Sequence, residues 1–249
     1  MVDFNNFKKN LIELAGNNPT KKFLLAVSGG ADSMVLASLF EINHLKYEIA
    51  HVNYHFRGED SNLDQKLVEK FCSENNIKFH LRDISEEEKS NMKSLQNWAR
   101  EIRYEFFFNI LEKENLDYIV TAHHLNDELE TFFINLSRGS GIKGLSGIPK
   151  NENRILRPLL NVSKNEIYDF AKENNIDYRE DISNKKDDYQ RNKIRHHLTP
   201  KLLEIFPNFL NQFQESLSYL NSANQFFQEE IQKTFEEILI SGDEKEFVL

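Results

Sequence analysis

Phe23-Leu24-Leu25-Ala26-Val27-Ser28-Gly29-Gly30-Ala31-Asp32-Ser33 passes from an apolar run into paired glycines and then into a helix opening. The apolar run reads as a buried strand. Ala31-Asp32-Ser33 starts an amphipathic helix with apolar positions Met34, Val35, Leu36, Leu39 and Phe40. Such a strand–glycine turn–helix unit aims several backbone N–H groups into one small space at the positive end of the helix dipole. That space suits phosphate. A Walker loop would add Gly-Lys-Ser/Thr at the helix start, its lysine reaching the β- and γ-phosphates. No lysine occurs in this loop or the following turn, and the glycines are adjacent rather than spaced as GxGxxG. The hydroxyls of Ser28 and Ser33, with the glycine N–H groups, are left to grip an anion that departs as a unit. The plain alternative is a tight βα turn whose glycines serve geometry alone.

Outward from this stretch the chain alternates strand and helix. A short helix is predicted within residues 1–20 (Phe4, Phe7, Leu11, Leu14), closed by Gly16-Asn17-Asn18-Pro19. Further strands are predicted at Tyr47–Phe56, Lys78–Ile84 and Asp117–His123, with a fifth at Arg154–Leu160. Helices are predicted over Ser61–Asn76, Ser94–Asn115 and Asn126–Arg138, the last stopped by Gly139. Glu86–Glu88 marks an exposed connection, and a glycine-rich loop runs from Gly139 to Pro149. Ser163 and Glu166 form a capping box for a helix to Asn175. Asp177–Arg195 reads as polar loop, Thr199-Pro200 opens another helix, and Pro207 breaks it before a long helix to about Leu239. The pattern predicts an α/β fold, a parallel twisted sheet with helices on both faces, followed by a C-terminal helical segment. The domain boundary is drawn at residues 1–204 and 205–249. Ligands of such sheets bind beyond the carboxyl ends of the strands, where Ser28–Ser33, His51–Arg57 and His123–Glu130 converge.

Composition narrows the class. The 249 residues are 39% hydrophobic with 20 Phe, enough for a sizeable core. The single cysteine, Cys72, supplies neither a disulfide framework nor a multi-cysteine metal site. No apolar run approaches membrane-spanning length and the first residues lack a signal-peptide core, so the expectation is a cytoplasmic protein with no membrane partner. The net charge of −9 argues against a nucleic-acid partner on average. Its distribution does not: residues 205–249 hold eight acidic and two basic side chains, whereas 185–201 hold six Lys/Arg against Asp187 and Asp188.

A second constellation is Thr121-Ala122-His123-His124-Leu125-Asn126-Asp127-Glu128-Leu129-Glu130-Thr131. Asp127 and Glu130, at i and i+3, share a helical face near a strand end. Acids at a helix N-terminus also complement its dipole, which is the reading preferred for Glu128. Zinc is disfavoured, since the spacing is not HExxH and no cysteine supports it. The loop resembles the SGGxDS signature of PP-loop ATP pyrophosphatases without a mismatch. The His-His-x-x-Asp-x-x-Glu-Thr block, followed by Ser137-Arg138-Gly139-Ser140-Gly141-Ile142-Lys143-Gly144-Leu145-Ser146-Gly147-Ile148-Pro149, resembles the tRNA(Ile)-lysidine synthases. Further blocks agree in order: His51 to Gly58, Ala99 to Phe107, Arg157 to Ser163, and Glu180 to Asn184 leading to Arg191, Arg195 and Pro200. The likeness covers about residues 21–203. Asn126 stands where that family usually has Asp, Glu128 where it usually has Gln, and family members usually carry further C-terminal domains.

The resemblance implies an adenine nucleotide α hydrolase-like fold and an AMP-forming carbon–nitrogen ligase. ATP, held by Ser28, Gly29, Gly30, Ala31, Asp32 and Ser33 with Mg²⁺ across its phosphates, would be cut between α and β. The partners implied are a tRNA(Ile) with a CAU anticodon and free L-lysine, and a homodimer is left open. Asp32 is assigned to ordering the loop or the metal, with a helix N-cap as its plain role. Asp127 and Glu130 are assigned to lysine's ammonium, and Arg191 and Arg195 to phosphate, against a bland alternative of pairing with Asp181, Asp187 or Asp188. Arg103 gains a site role from the resemblance, while periodicity alone puts it in solvent. Trp98 is assigned to the core. No metal ligands are assigned. A tRNA thiolase of the iron–sulfur type would need cysteine pairs that one cysteine cannot supply; a nucleotide- or RNA-binding module without turnover is the rival of another class.

Overall fold

The computed structural model describes residues 6–89, 95–180 and 190–241. In chain order the elements are α1 (Phe7–Leu14), β1 (Phe23–Ala26), α2 (Ala31–Ile42), β2 (Tyr47–Asn53), α3 (Glu59–Glu74), β3 (Phe79–Asp83), α4 (Glu86–Lys89), α5 (Leu95–Lys113), β4 (Tyr118–Val120), α6 (Leu125–Ser137), α7 (Ile142–Leu145), β5 (Asn151–Glu152), β6 (Ile155–Leu156), α8 (Lys164–Glu173), α9 (Gln190–Lys193), α10 (Thr199–Ile205) and α11 (Phe209–Ser241). They fall into two compact units, Met1–Asp127 with Pro149–Asp187 and Glu128–Ile148 with Asp188–Leu249.

In the first unit six strands make one sheet in the order β3-β2-β1-β4-β6-β5. All neighbours are parallel except β5, which runs antiparallel to β6. β1 lies inside the sheet, Leu25 standing opposite Ile49 on one side and Val120 on the other. Successive side chains of a strand point to opposite faces. Phe23 and Leu25 accordingly join Phe7, Met34 and Phe40 beneath α1 and α2. Leu24 joins Phe107, Leu111 and Ile119 beneath α5. Both faces are covered, which is why β1 is apolar at every position. The chain steps outward from β1 to β2 and β3, then returns to the other side of β1 for β4. The crevice at that reversal is where such folds bind ligands.

Several elements differ from expectation for local reasons. The fifth strand, expected over Arg154–Leu160, is only Ile155–Leu156. Pro158 has no N–H to donate, and the following residues fold into turns, with Leu160 N–H on Arg157 O and Val162 N–H on Leu159 O. β2 stops at Asn53, not Phe56, because the Asn53 side chain takes the His55 N–H at 2.9 Å and His55 adopts φ +53°. The glycine-rich loop contains α7, and Glu86–Lys89 is a helical turn rather than plain loop. Trp98 is half-buried beside Tyr54 and Phe56 and not in the core. Of the expected loop at 177–195, residues 181–189 lie outside the described set, and Gln190–Lys193 is helical.

In the second unit α6 continues through Ser137, and Phe132 meets Phe213 of α11 edge to face at 5.3 Å. A π-helical turn, Ile194–Leu198, joins α9 to α10. Pro207 separates α10 from the 33-residue α11. Among the described residues no helix is long and apolar enough to cross a membrane.

Candidate active site

The loop after β1 is braced by its own serines. Ser33 Oγ donates to Gly30 O at 3.0 Å and accepts from Ser28 N–H at 3.1 Å, with Ser28 Oγ 3.2 Å away. Gly29 has φ +91°, and a Cβ there would sit 3.2 Å from both Cβ and O of Asp64, so two separate constraints require glycine. Its carbonyl accepts the Arg179 N–H at 3.0 Å. Arg179 in turn donates to Asp64 and Asp60 at 2.8 Å each, and Arg57 also pairs with Asp64. From the strand side, His51 Nδ1 donates to the Val27 carbonyl at 2.8 Å. Burial pushes the His51 imidazole below its ordinary value, the Val27 bond offsetting part of this.

Gly30 is the N-cap of α2, with no side chain capping the helix. The sequence reading of Asp32 as a cap is therefore corrected: Asp32 lies in the first turn, two residues past the N-cap. First-turn N–H groups that no side chain caps are available to water or an anion. Asp32 carries instead an ion pair absent from the sequence reading, with Lys164 Nζ at 2.6 and 2.7 Å from its two oxygens. Lys164 is the first residue of α8, and nothing in its local sequence signals a site. Its backbone N–H is held by Asn126 Oδ1 at 2.9 Å, so the asparagine that departs from the family pattern has a structural partner.

A cavity of about 310 Å³ opens beside the loop, lined by Ser28, Asp32, Ser33, Arg103 and Asp127 on its polar side and by Tyr54, Tyr104 and Phe107 on its aromatic side. The structure thus brings Ser28, Asp32, Ser33 and Asp127 together, and puts Arg103 at the site rather than in solvent. Burial raises the Tyr54 hydroxyl, with nearby Arg103 pulling it partly back. Asp127 accepts the His124 N–H at 3.0 Å. The buried His124 ring lies between two carboxylates, Nε2 at 3.8 Å from Asp32 and 3.6 Å from Asp127, and its Nδ1 has no hydrogen-bond partner.

In the second unit Glu130, 1% exposed, collects both predicted arginines. Arg195 grips it bidentately at 2.6 and 3.0 Å. Arg191 Nε stands 3.2 Å from Glu130, and its Nη2 donates to Thr131 Oγ1 at 2.6 Å. Glu128 accepts the Ile148 N–H at 2.7 Å, and a side chain at Gly147, φ +84°, would run into its carboxylate. Its partner is a loop amide, a role that glutamine's carbonyl serves equally.

An α/β sheet with an uncapped, lysine-free glycine loop at its reversal point defines a PP-loop nucleotide-binding protein, and the family model described as a PP-loop domain matches residues 4–202. A protein named tRNA(Ile)-lysidine synthase from Bacteroides thetaiotaomicron is 39% identical over 207 residues, covering 82% of this chain and 49% of the relative. One of the same name from Mesoplasma florum is 39% identical over 82% of this chain and 52% of the relative. That from Petrotoga mobilis is 36% identical over 88% of this chain and 71% of the relative. The chain belongs to the tRNA(Ile)-lysidine synthase family. It spans about half the length of the first two relatives. The fold is shared with the U34-tRNA thiolase NcsA of Methanococcus maripaludis, which carries a [4Fe-4S] cluster, at TM-score 0.67 and 18% identity over 88% of this chain and 78% of that one. It is shared too with NMN synthetase of Francisella tularensis, at TM-score 0.52 and 14% identity over 90% and 94%. A cluster does not transfer, because the one thiol, Cys72, is buried and pushed by that burial up to about 12.

Proposed function

We propose that this chain ligates free lysine to C2 of the wobble cytidine of a tRNA(Ile) with a CAU anticodon, consuming ATP and releasing AMP and pyrophosphate. The observation that carries the reading is the uncapped α2 N-terminus opening on the same cavity as Asp127. The cytosine C2 oxygen attacks the α-phosphorus, and pyrophosphate leaves into Ser28–Ser33. The lysine ε-amine then attacks C2, and AMP departs with the former base oxygen. The aromatic side of the cavity suits a planar base. Among the described residues no group of three or more His, Cys, Asp or Glu is arranged to hold a metal ion by itself. Mg²⁺ ordinarily takes one or two carboxylates plus substrate phosphates; Asp32 is the loop's carboxylate, and it would hold the ion by sharing oxygens that Lys164 Nζ meets at 2.6 and 2.7 Å. When bound there, the ion supplies charge neutralisation on the polyphosphate.

Asp127 is assigned to the lysine ammonium. A carboxylate favours the charged amine, whose ordinary pKa is about 10.4, whereas the nucleophile is the neutral form. Asp127 therefore orients lysine and accepts its proton as the C–N bond forms. Glu130, already engaged by guanidiniums, is assigned to holding Arg191 and Arg195 for RNA phosphate or nucleotide.

Incubation with α-labelled ATP, lysine and a CAU-anticodon tRNA(Ile) transcript tests this. AMP release that requires both lysine and tRNA is expected, with Asp127→Asn raising the KM for lysine and lowering kcat by tenfold or more, an estimate from a lost charged hydrogen bond, roughly 1.5–3 kcal/mol. ATP bound without AMP release overturns the reading in favour of a binding module.

A further inference from the structure

Polyphosphate carries several negative charges, and the loop that would receive it has no lysine of its own. Worse, Asp32 places a carboxylate in the first turn of α2, beside the N–H groups that attract the anion. Left unpaired, that charge would repel the ligand. Lys164 removes the conflict from 132 residues away in sequence. Its ammonium sits on both Asp32 oxygens, at 2.6 and 2.7 Å. These contacts use two of its three N–H donors. The side chains of Lys164 and Asp32 remain 30% and 28% exposed, so the pair is reachable from solvent.

The lysine is also built in rather than draped there. Ser163 and Glu166 close a reciprocal capping box around the start of α8. Asn126 holds the Lys164 amide. The ammonium stands 4.9 Å from the centroid of the Tyr168 ring. Asn126 thus fixes the backbone, and Asp32 and Tyr168 meet the ammonium from two directions.

We infer that Lys164 is a polyphosphate-binding residue, the cation the loop itself lacks, held by Asp32 at the α2 N-terminus to meet the β- and γ-phosphates of ATP and the departing pyrophosphate. This rests on the proposed use of ATP, but not on lysine or tRNA as acceptors. The competing account is that the pair only ties α8 to α2.

Calorimetric titration of the full chain with ATP, AMP and inorganic pyrophosphate, in EDTA and again in Mg²⁺, separates the two. Lys164→Met is expected to weaken ATP and pyrophosphate binding roughly tenfold or more, as loss of a charge-assisted contact does, while AMP affinity stays within about twofold of wild type. Lys164→Arg, which keeps charge and carboxylate pairing, is expected to retain most of the affinity. Unchanged pyrophosphate binding in Lys164→Met overturns the assignment, and parallel loss of AMP and pyrophosphate reduces Lys164 to a structural tie. If Lys164→Met fails to fold, the wild-type chain answers instead. Pyrophosphate, and not AMP, should slow acylation of Lys164 by an amine-reactive reagent, read by peptide mass spectrometry; no protection overturns the assignment. A wild-type chain that binds neither ATP nor pyrophosphate overturns this and the ATP reading together. Normal nucleotide binding without lysidine formation sinks only the proposed reaction.

Discussion

His51 stands inside β2 with 4% of its surface exposed, and its ring donates to the carbonyl of Val27, the residue just before Ser28. Burial, the dominant effect, disfavours the charged imidazole and pushes its pKa down, while the Val27 bond and the charges of Asp64 and Glu69 restore only part. Between this lowered folded value and the ordinary value near 6.5, the unfolded chain takes up a proton that the folded chain refuses. Stability then falls as pH falls through that window, by at most about 1.4 kcal/mol per pH unit for one proton. We expect the melting temperature to drop on acidification from pH 7.5 to 5.5, and less steeply in His51→Asn, whose amide keeps a donor for Val27. Comparing the two slopes cancels the other histidines. Identical slopes would show that His51 is not the group responsible.

α8 depends on its first turn. Ser163 Oγ accepts the Glu166 N–H at 3.3 Å, and Glu166 accepts the Ser163 N–H at 2.9 Å. Removing this cap by Ser163→Ala is expected to cost about 0.5–2 kcal/mol in chemical denaturation. Because Lys164 follows directly, ATP affinity should also fall, though less than in Lys164→Met; a stability loss with ATP binding intact would separate the helix start from the loop. This box was legible in the sequence because it closes within four residues. β1 and α2 are legible for a similar reason, an unbroken apolar run stopped by paired glycines and followed directly by a helix opening. The fifth strand was overdrawn because a hydrophobic run says nothing of the donor that Pro158 lacks. Lys164 was not legible at all: its meeting with Asp32 is made by the packing of α8 against α2, not by any local pattern. Arg191 and Arg195 stand out in the sequence by their spacing, yet Glu130, which pairs with both, reads there as a ligand of the lysine ammonium.

At the scale of the whole molecule the chain is acidic, at −9, while the reaction proposed for it calls for anionic ligands, so charge must be managed locally. In the first unit one lysine cancels one aspartate. In the second, two guanidiniums share one buried carboxylate, which leaves the trio with a net positive charge. Arg191 and Arg195 are 44% and 33% exposed at their side chains, whereas Glu130 is 1% exposed. Removing the carboxylate charge by Glu130→Gln therefore loosens the hold on two partly exposed arginines whose charge water can solvate. The stability cost belongs at the low end for a broken charge pair, about 1–3 kcal/mol. Hydrogen exchange should locate it, with protection lost across residues 190–198 and kept in β1, β2 and β4. The effect on RNA has the opposite sign. One more uncompensated positive charge should hold or raise non-specific RNA affinity and steepen its salt dependence by up to about one ion. AMP release should fall, because arginines no longer held by the Glu130 charge present phosphate contacts less fixed in place. Filter binding across a salt series, alongside turnover, reads both quantities. If Glu130→Gln lost RNA affinity and turnover together, Glu130 would be contacting substrate itself, as its spacing from Asp127 first suggested, and not acting through the arginines it holds.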